Sequence, residues 1–265
     1  MYTINTLHAL RTRLGLAAAE TSDDARLLAA LQAAAAQVER AAGRRFCPRQ
    51  AVLQHTIQYP TELLLEDDLL ELTTLTNGDS SAIPLDNVIL LPDDAPAGGL
   101  LLMAGSTFTW AQSPVQAVSI SGIWGWHDRW NEAWRNSADT VQNNPLNSSA
   151  TSLTVADADG LDTHGETPRF QVGHLLRIES EYLRVLAVNT VSNVLTVLRG
   201  VNGTTAAAHA QNTPIYSYQP PADVAAIALR WASILYREPD GETFAAALEA
   251  LHDSLTSYRR VMVKV

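Results

Sequence analysis

The chain has a single cysteine, Cys47. One thiol closes no internal disulfide, and no cluster of metal-ligating partners accompanies it, so it reads as a small buried side chain ending a helical segment. Long apolar runs are also missing. A run such as Leu100 to Met103 is strand-sized and far short of the ~20 residues a membrane span needs. No basic residue precedes an apolar stretch in Met1-Tyr2-Thr3-Ile4-Asn5, so no secretion signal is read and the cytoplasm is the expected place of synthesis. Positive charge is scarce. Lys and Arg number 18 against 28 Asp and Glu, a formal net charge of −10. Proteins that grip a nucleic-acid backbone concentrate Lys and Arg to displace counterions, so the balance argues against reading or coating DNA. An acidic surface suits DNA passing nearby without sticking, and it is equally the default of a soluble protein.

Catalytic signatures are absent as well. His8, His55, His127, His164, His174, His209 and His252 are scattered, with no His-Glu-x-x-His or other metal spacing. There is no phosphate-binding glycine loop and no Gly-x-Ser-x-Gly elbow. The pairs Asp67-Asp68 and Asp93-Asp94 read as solvated turn residues rather than a catalytic dyad. His127 and Asp128 lack a recognisable nucleophile or third partner. The expectation is a protein that is not an enzyme and uses no metal or cofactor.

What remains is a globular pattern in four stretches. At 265 residues with 46% hydrophobic content, the chain can bury one large core or two modest ones. Leu7, Leu10 and Leu14 keep helical spacing. A longer helix starts at Ser22-Asp23-Asp24, with Asp23 a candidate cap, and runs through Leu27, Leu31, Ala35 and Val38 to Gly43. From Arg49 to about Ile123 short strands follow, with Asn77-Gly78, Pro92-Asp93 and Gly98-Gly99 as turn signals. Asn136 to Ser149 is polar and aperiodic, which suggests a linker. A second β texture covers Ser152–Val155, Leu175–Ile178, Tyr182–Val188 and Val194–Leu198, and ends at Pro220-Pro221. Two helices close the chain, one on Val224, Ile227, Ala228, Trp231 and Ile234, stopped by Glu238-Pro239-Asp240-Gly241, and one on Phe244, Leu248, Leu251 and Leu255. The expected class is α+β: helical N- and C-terminal segments packed with a small antiparallel sheet, plus an inserted all-β module. Residues 1–135 and 221–265 would form the core, 136–150 the linker and 151–220 the module.

Two segments stand out as candidate contact sites. Trp124, Trp126, Trp130 and Trp134 crowd one short run, which could cover an end of the sheet, meet another subunit or stack on a sugar. At the C-terminus, Arg259-Arg260-Val261-Met262-Val263-Lys264-Val265 alternates as a strand does. Such a tail can add a strand to another protein's sheet edge, or be simply disordered.

These residues carry a resemblance. The helix from Asp23-Asp24-Ala25-Arg26-Leu27-Leu28 to Val38-Glu39-Arg40-Ala41-Ala42, its exit through Gly43-Arg44-Arg45-Phe46, the Val118-Ser119-Ile120-Ser121-Gly122-Ile123-Trp124-Gly125-Trp126 strand and the closing helix from Ala222 are similar to the head–tail connector (adaptor) family of tailed bacteriophages. Phe170 to Ile178, Glu181 to Val185 and Leu198 to His209 look like a module inserted in phage structural proteins, in which the Gly and Asn residues supply turns and His209 a local structural role. The resemblance implies a dodecameric ring under the portal protein, with a stopper or tail-completion protein below and DNA passing through the lumen. The implied place is the neck of the virion. Residues Arg259 to Val265 become the candidate portal-docking tail, and the four tryptophans candidate subunit contacts. A stopper is the nearest alternative, and a carbohydrate-binding protein using the tryptophans a more distant one.

Overall fold

The computed structural model describes residues 3–17, 20–237 and 241–260. Among them are four α-helices and two antiparallel sheets, an α+β arrangement. The expected stop at Glu238, Pro239 and Asp240 and the tail Val261 to Val265 lie outside the described residues.

The chain forms two compact units, one comprising the residues up to Gly43 with Asn131–Arg259, the other Arg44–Trp130 with Arg260. This grouping differs from the sequence-based boundaries, which join the N-terminal helices to the first sheet. The N-terminus is instead hydrogen-bonded into the second β region. Leu7 N–H donates to the Val172 carbonyl at 3.0 Å, and the Thr6 hydroxyl meets Gln171 Oε1 at 2.5 Å.

The helices of this unit are α1 (Leu7–Leu14), α2 (Asp24–Ala42), α3 (Ala222–Arg237) and α4 (Gly241–Ser254). Along α2, Leu27, Ala30, Leu31, Ala34, Ala35, Val38 and Ala42 are buried, the spacing of one helical face. Its small side chains let α3 approach, and Trp231 Nε1 donates to Gln37 Oε1 across the pair at 2.5 Å. Gly43, at φ 63°, caps the C-terminus by donating to the Glu39 carbonyl. Asp23 does not cap α2 with its side chain, because its carboxylate accepts from the Tyr236 hydroxyl at 2.6 Å. Arg11 is buried against Asp24.

The first sheet, in the other unit, contains β1 (Arg49–His55), β2 (Glu62–Thr76), β3 (Ala82–Ile83), β4 (Val88–Leu91), β5 (Ala97–Leu102) and β6 (Val118–Trp124). Its order is β1-β6-β2-β5-β4, with β3 paired to β2. Leu63, Leu69, Leu75, Leu100, Val118, Ile120 and Trp124 fill its core. The expected turn at Gly98-Gly99 is a strand instead: Gly99 pairs with Leu64 on one side and Leu91 on the other. A side chain there would press on the Leu63 carbonyl at 3.2 Å, so the glycine marks close strand approach rather than a bend.

The second sheet runs β7 (Trp134–Thr140), β12 (Pro214–Tyr218), β9 (Leu175–Ile178), β10 (Glu181–Asn189), β11 (Val194–Leu198) and β8 (Ser152–Thr154) in that spatial order. Val141, Phe170, Leu176, Leu183, Leu195 and Ile215 are among its core residues. Strand β7 takes up the first third of the stretch read as a linker, Asn136 to Thr140. Its inward positions are Ser137 and Asp139, both buried, so no apolar alternation betrays it. Ser137 Oγ donates to the Ile215 carbonyl at 2.7 Å, and Asp139 accepts the Ala156 and Asp157 N–H groups at 2.9 Å each.

Strand β6 is central, paired to β1 and β2 at once. A Cβ at Gly122 would lie 2.2 Å from the Glu71 carbonyl oxygen and 2.9 Å from Leu69 Cδ1. Backbone cannot yield there without loosening the β2 pairing. Gly122→Ala is therefore expected to cost about 3 kcal/mol, the upper range for overpacking, measured as a shift of the urea midpoint of the tryptophan fluorescence transition.

Candidate functional site

The two features that the sequence singles out are built on different elements. Trp124 ends β6, and the chain turns there through Gly125, whose N–H donates to the Asp68 carbonyl at 2.9 Å. Trp126 N–H then donates to the Arg45 carbonyl at 2.7 Å. The segment is thereby stitched to the Arg44-Arg45-Phe46 entry of β1. Phe46 meets the Trp126 ring edge-on with centroids 5.8 Å apart, and the Arg44 guanidinium lies 5.7 Å from the same ring's centroid. Such contacts are worth roughly 0.5–1.5 kcal/mol each.

Arg44 also reaches Asp68, Nη1 to Oδ1 at 2.7 Å. Arg260 meets the same oxygen at 3.2 Å and donates from Nη2 to the Leu65 carbonyl at 2.7 Å. Trp126, Arg44, Asp68 and Arg260 thus form one continuous chain of contacts. Burial pushes the Asp68 carboxyl above its ordinary value, against the opposite pull of Arg260 and Arg44. Beside it, His55 stacks on Trp124 at 5.6 Å, and burial lowers its pKa, partly offset by Glu66 and Asp67.

The four tryptophans are divided between the two units. Trp124 is fully buried and donates its Nε1–H to the Ala51 carbonyl at 3.0 Å, so it serves the interior of the sheet. Trp126 and Trp130 are half-buried, and Trp130 donates to Glu71 Oε1 at 2.7 Å. Trp134 belongs to the other unit, where its ring packs on Tyr182 and Tyr218 at 5.0 and 5.4 Å, with the Arg177 guanidinium 4.7 Å from its centroid. Of the tail candidates, Arg259 and Arg260 are described, and Arg260 is the one held by the Asp68 clamp.

The most elaborate polar centre joins two phrases of the module, Glu181 to Val185 and Leu198 to His209, whose meeting the sequence does not show. Glu181, at the start of β10, is wholly buried. It accepts from Arg199 Nε and Nη2 at 2.7 Å each, from Gly200 N–H at 2.9 Å and from Ala207 N–H at 3.0 Å. His209 Nε2 lies 2.8 Å from the same carboxylate, and its Nδ1 lies 2.7 Å from Glu179. Arg199 further donates to the Asn147, Ala150 and Ala207 carbonyls. Gly200, Asn202 and Gly203 adopt positive φ, as their turn role requires. The whole phrase from Leu198 to His209 is thus wrapped around one carboxylate. A glutamate with an arginine 18 residues and a histidine 28 residues downstream has no diagnostic spacing, so only folding reveals the cluster.

Chemically, both centres hold and position backbone. Among the described residues no group of three or more His, Cys, Asp or Glu side chains could hold a metal ion, and no helix is long and apolar enough to cross a membrane. The fold and these centres define an α+β protein whose notable features are polar clamps and aromatic packing. No protein-family model matches the chain, and no curated protein matches it in sequence.

Burial alone would raise the Glu181 carboxyl, but the hydrogen bonds from Arg199, Ala207, His209 and Gly200 outweigh it and bring it down from 4.5 to about 2. A carboxyl lowered by folding stabilises fully above its unfolded value. The clamp's contribution, about 3 kcal/mol, is thus present above pH 4.5 and lost as pH falls towards 2. Glu181→Gln is expected to destabilise at pH 7 by about 3–5 kcal/mol, because it leaves Arg199 buried without its partner. It is also expected to flatten the loss of stability between pH 4.5 and 2, as read by urea unfolding across pH.

Proposed function

We propose that the chain is the head–tail connector (adaptor) subunit of a tailed bacteriophage, a non-enzymatic protein of the virion neck. In this reading it closes into a dodecameric ring under the portal, extends the DNA channel and carries a stopper or tail-completion protein. The observation that supports it most is the meeting of the two segments that carry the resemblance. The Gly43-Arg44-Arg45-Phe46 exit of α2 and the Trp124-Gly125-Trp126 end of β6 are hydrogen-bonded and ring-packed into one junction. Residues far apart in the chain thus make one local structure out of the family-like pattern.

On this reading the second sheet is a module inserted between the first sheet and the closing helices, and the helical termini belong to the ring-forming core. A closed ring uses head-to-tail interfaces, so each subunit presents two different faces. The tail Arg259 to Val265 docks on the portal by strand addition. Arg260, held by Asp68 and the Leu65 carbonyl, fixes where that strand begins. A net charge of −10 keeps passing DNA from adhering to the lumen.

The test is native mass spectrometry of the protein alone and mixed with its portal. Ring-sized species, with portal co-migration lost on deletion of Val261 to Val265 and unchanged far-UV circular dichroism, are expected. Leaving Arg260 in place keeps the Asp68 clamp intact, so loss of docking is separated from loss of fold. A monomer in both samples with no co-migration refutes the adaptor reading.

A further inference from the structure

One face of the helical layer collects positive charge that nothing within the described chain neutralises. Ile227, Arg230, Ile234 and Arg237 form one stripe along α3, and with Arg13 of α1 and Leu251 of α4 they border a groove of about 290 Å³ and its continuation. Arg13, Arg230 and Arg237 are exposed, and among the described residues none has an ion-pair partner. In a chain of net charge −10, three unpaired arginines beside an apolar floor are a selective feature.

The complementary surface lies on the other side of α4. Glu242, Glu249 and Asp253 stand at intervals of seven and four residues, which places them on one stripe with Ala246 between them. All three are exposed and, among the described residues, without an ion-pair partner. The groove is bordered instead by Ala247, Ala250, Leu251 and Ser254 of that helix, so these acids point away from their own arginines. Helix α4 also buries only Leu251. A helix of this length is marginal in water without packing, so its outer face has reason to be covered.

Resting on the ring reading above, we infer that the acidic outer stripe of α4 in one copy seats against the arginine-bordered groove of the next. The spacings agree. Arg230 to Arg237 and Glu242 to Glu249 are each seven residues, or about 10.5 Å along a helix axis. The contact joins two different surfaces, which is the head-to-tail kind that a ring requires. DNA fits less well, because phosphate has no use for Ile227 and Ile234 on the floor.

Charge exchange tests this directly. Sedimentation velocity at low and high salt compares the wild type with Arg230→Glu/Arg237→Glu, with Glu242→Arg/Glu249→Arg and with all four changes combined. Each double variant is expected to weaken self-association by tenfold or more, roughly the effect of juxtaposed like charges, and the combined variant to restore it. Rings that persist unchanged in both double variants overturn this interface and leave the ring reading standing. Salt-sensitive, charge-exchangeable association that never closes into a ring supports the interface and refutes the ring. A wild type that stays monomeric at every concentration overturns this interface, while the ring reading falls only if the portal-mixed sample is monomeric too. Duplex DNA binding abolished by Arg230→Glu/Arg237→Glu, without any change in mass, assigns the groove to nucleic acid and overturns the inference.

Discussion

The second sheet depends on a charge that has been taken out of water. A wholly buried carboxylate is tolerable only when its oxygens are fully hydrogen-bonded. Glu181 meets that condition by drawing in Arg199, Gly200, Ala207 and His209 from the stretch after β11. Through Arg199 it also fixes the carbonyls of Asn147 and Ala150, ahead of β8. Long connections that would otherwise carry unsatisfied backbone groups are thereby given partners. The apolar core of Phe170, Leu183 and Leu195 provides cohesion, while the carboxylate determines the path of the chain around it.

The first sheet uses the same device on a smaller scale. Asp68 binds Arg44 at the entry to β1 and Arg260 near the chain's end. Its carboxyl is raised by burial even with two guanidiniums beside it, so desolvation outweighs attraction at this site. The adaptor reading gives that balance a use: the clamp sets the starting point of a docking strand and ties it to Trp126 through Arg44. Of the tryptophan run, Trp126 belongs to this junction, while Trp124 lies inside the sheet and Trp130 is hydrogen-bonded to Glu71.

Charge is also sorted at the level of whole surfaces. Several of the cations are held in buried or half-buried pairs, such as Arg11 with Asp24, Arg135 with Asp162 and Arg199 with Glu181. Against that background the arginines of α1 and α3 form one charged surface and the acids of the thinly packed α4 another of opposite sign. Complementary surfaces of this kind favour register and orientation more than raw affinity.

The sequence by itself determined the elements whose burial is apolar and periodic. Helix α2 is legible from Leu27, Leu31, Ala35 and Val38, and β4, β9 and β11 from their apolar runs, because a repeating contact with one core face leaves a repeating pattern. The turn residues Gly200, Asn202 and Gly203 were legible for the same local reason, a backbone conformation that few residues adopt. Tertiary structure alone decided what depends on distant partners. Strand β7 is invisible in sequence because Ser137 and Asp139 are buried by hydrogen bonds to Ile215, Ala156 and Asp157. Gly99 reads as a turn until the close Leu63 carbonyl gives it a strand role. Glu181, Arg199 and His209, or Arg44, Asp68 and Arg260, are ordinary polar residues until folding removes them from water. Sequence spacing records contacts along one element, whereas a buried charge is defined by which groups, from anywhere in the chain, arrive to satisfy it.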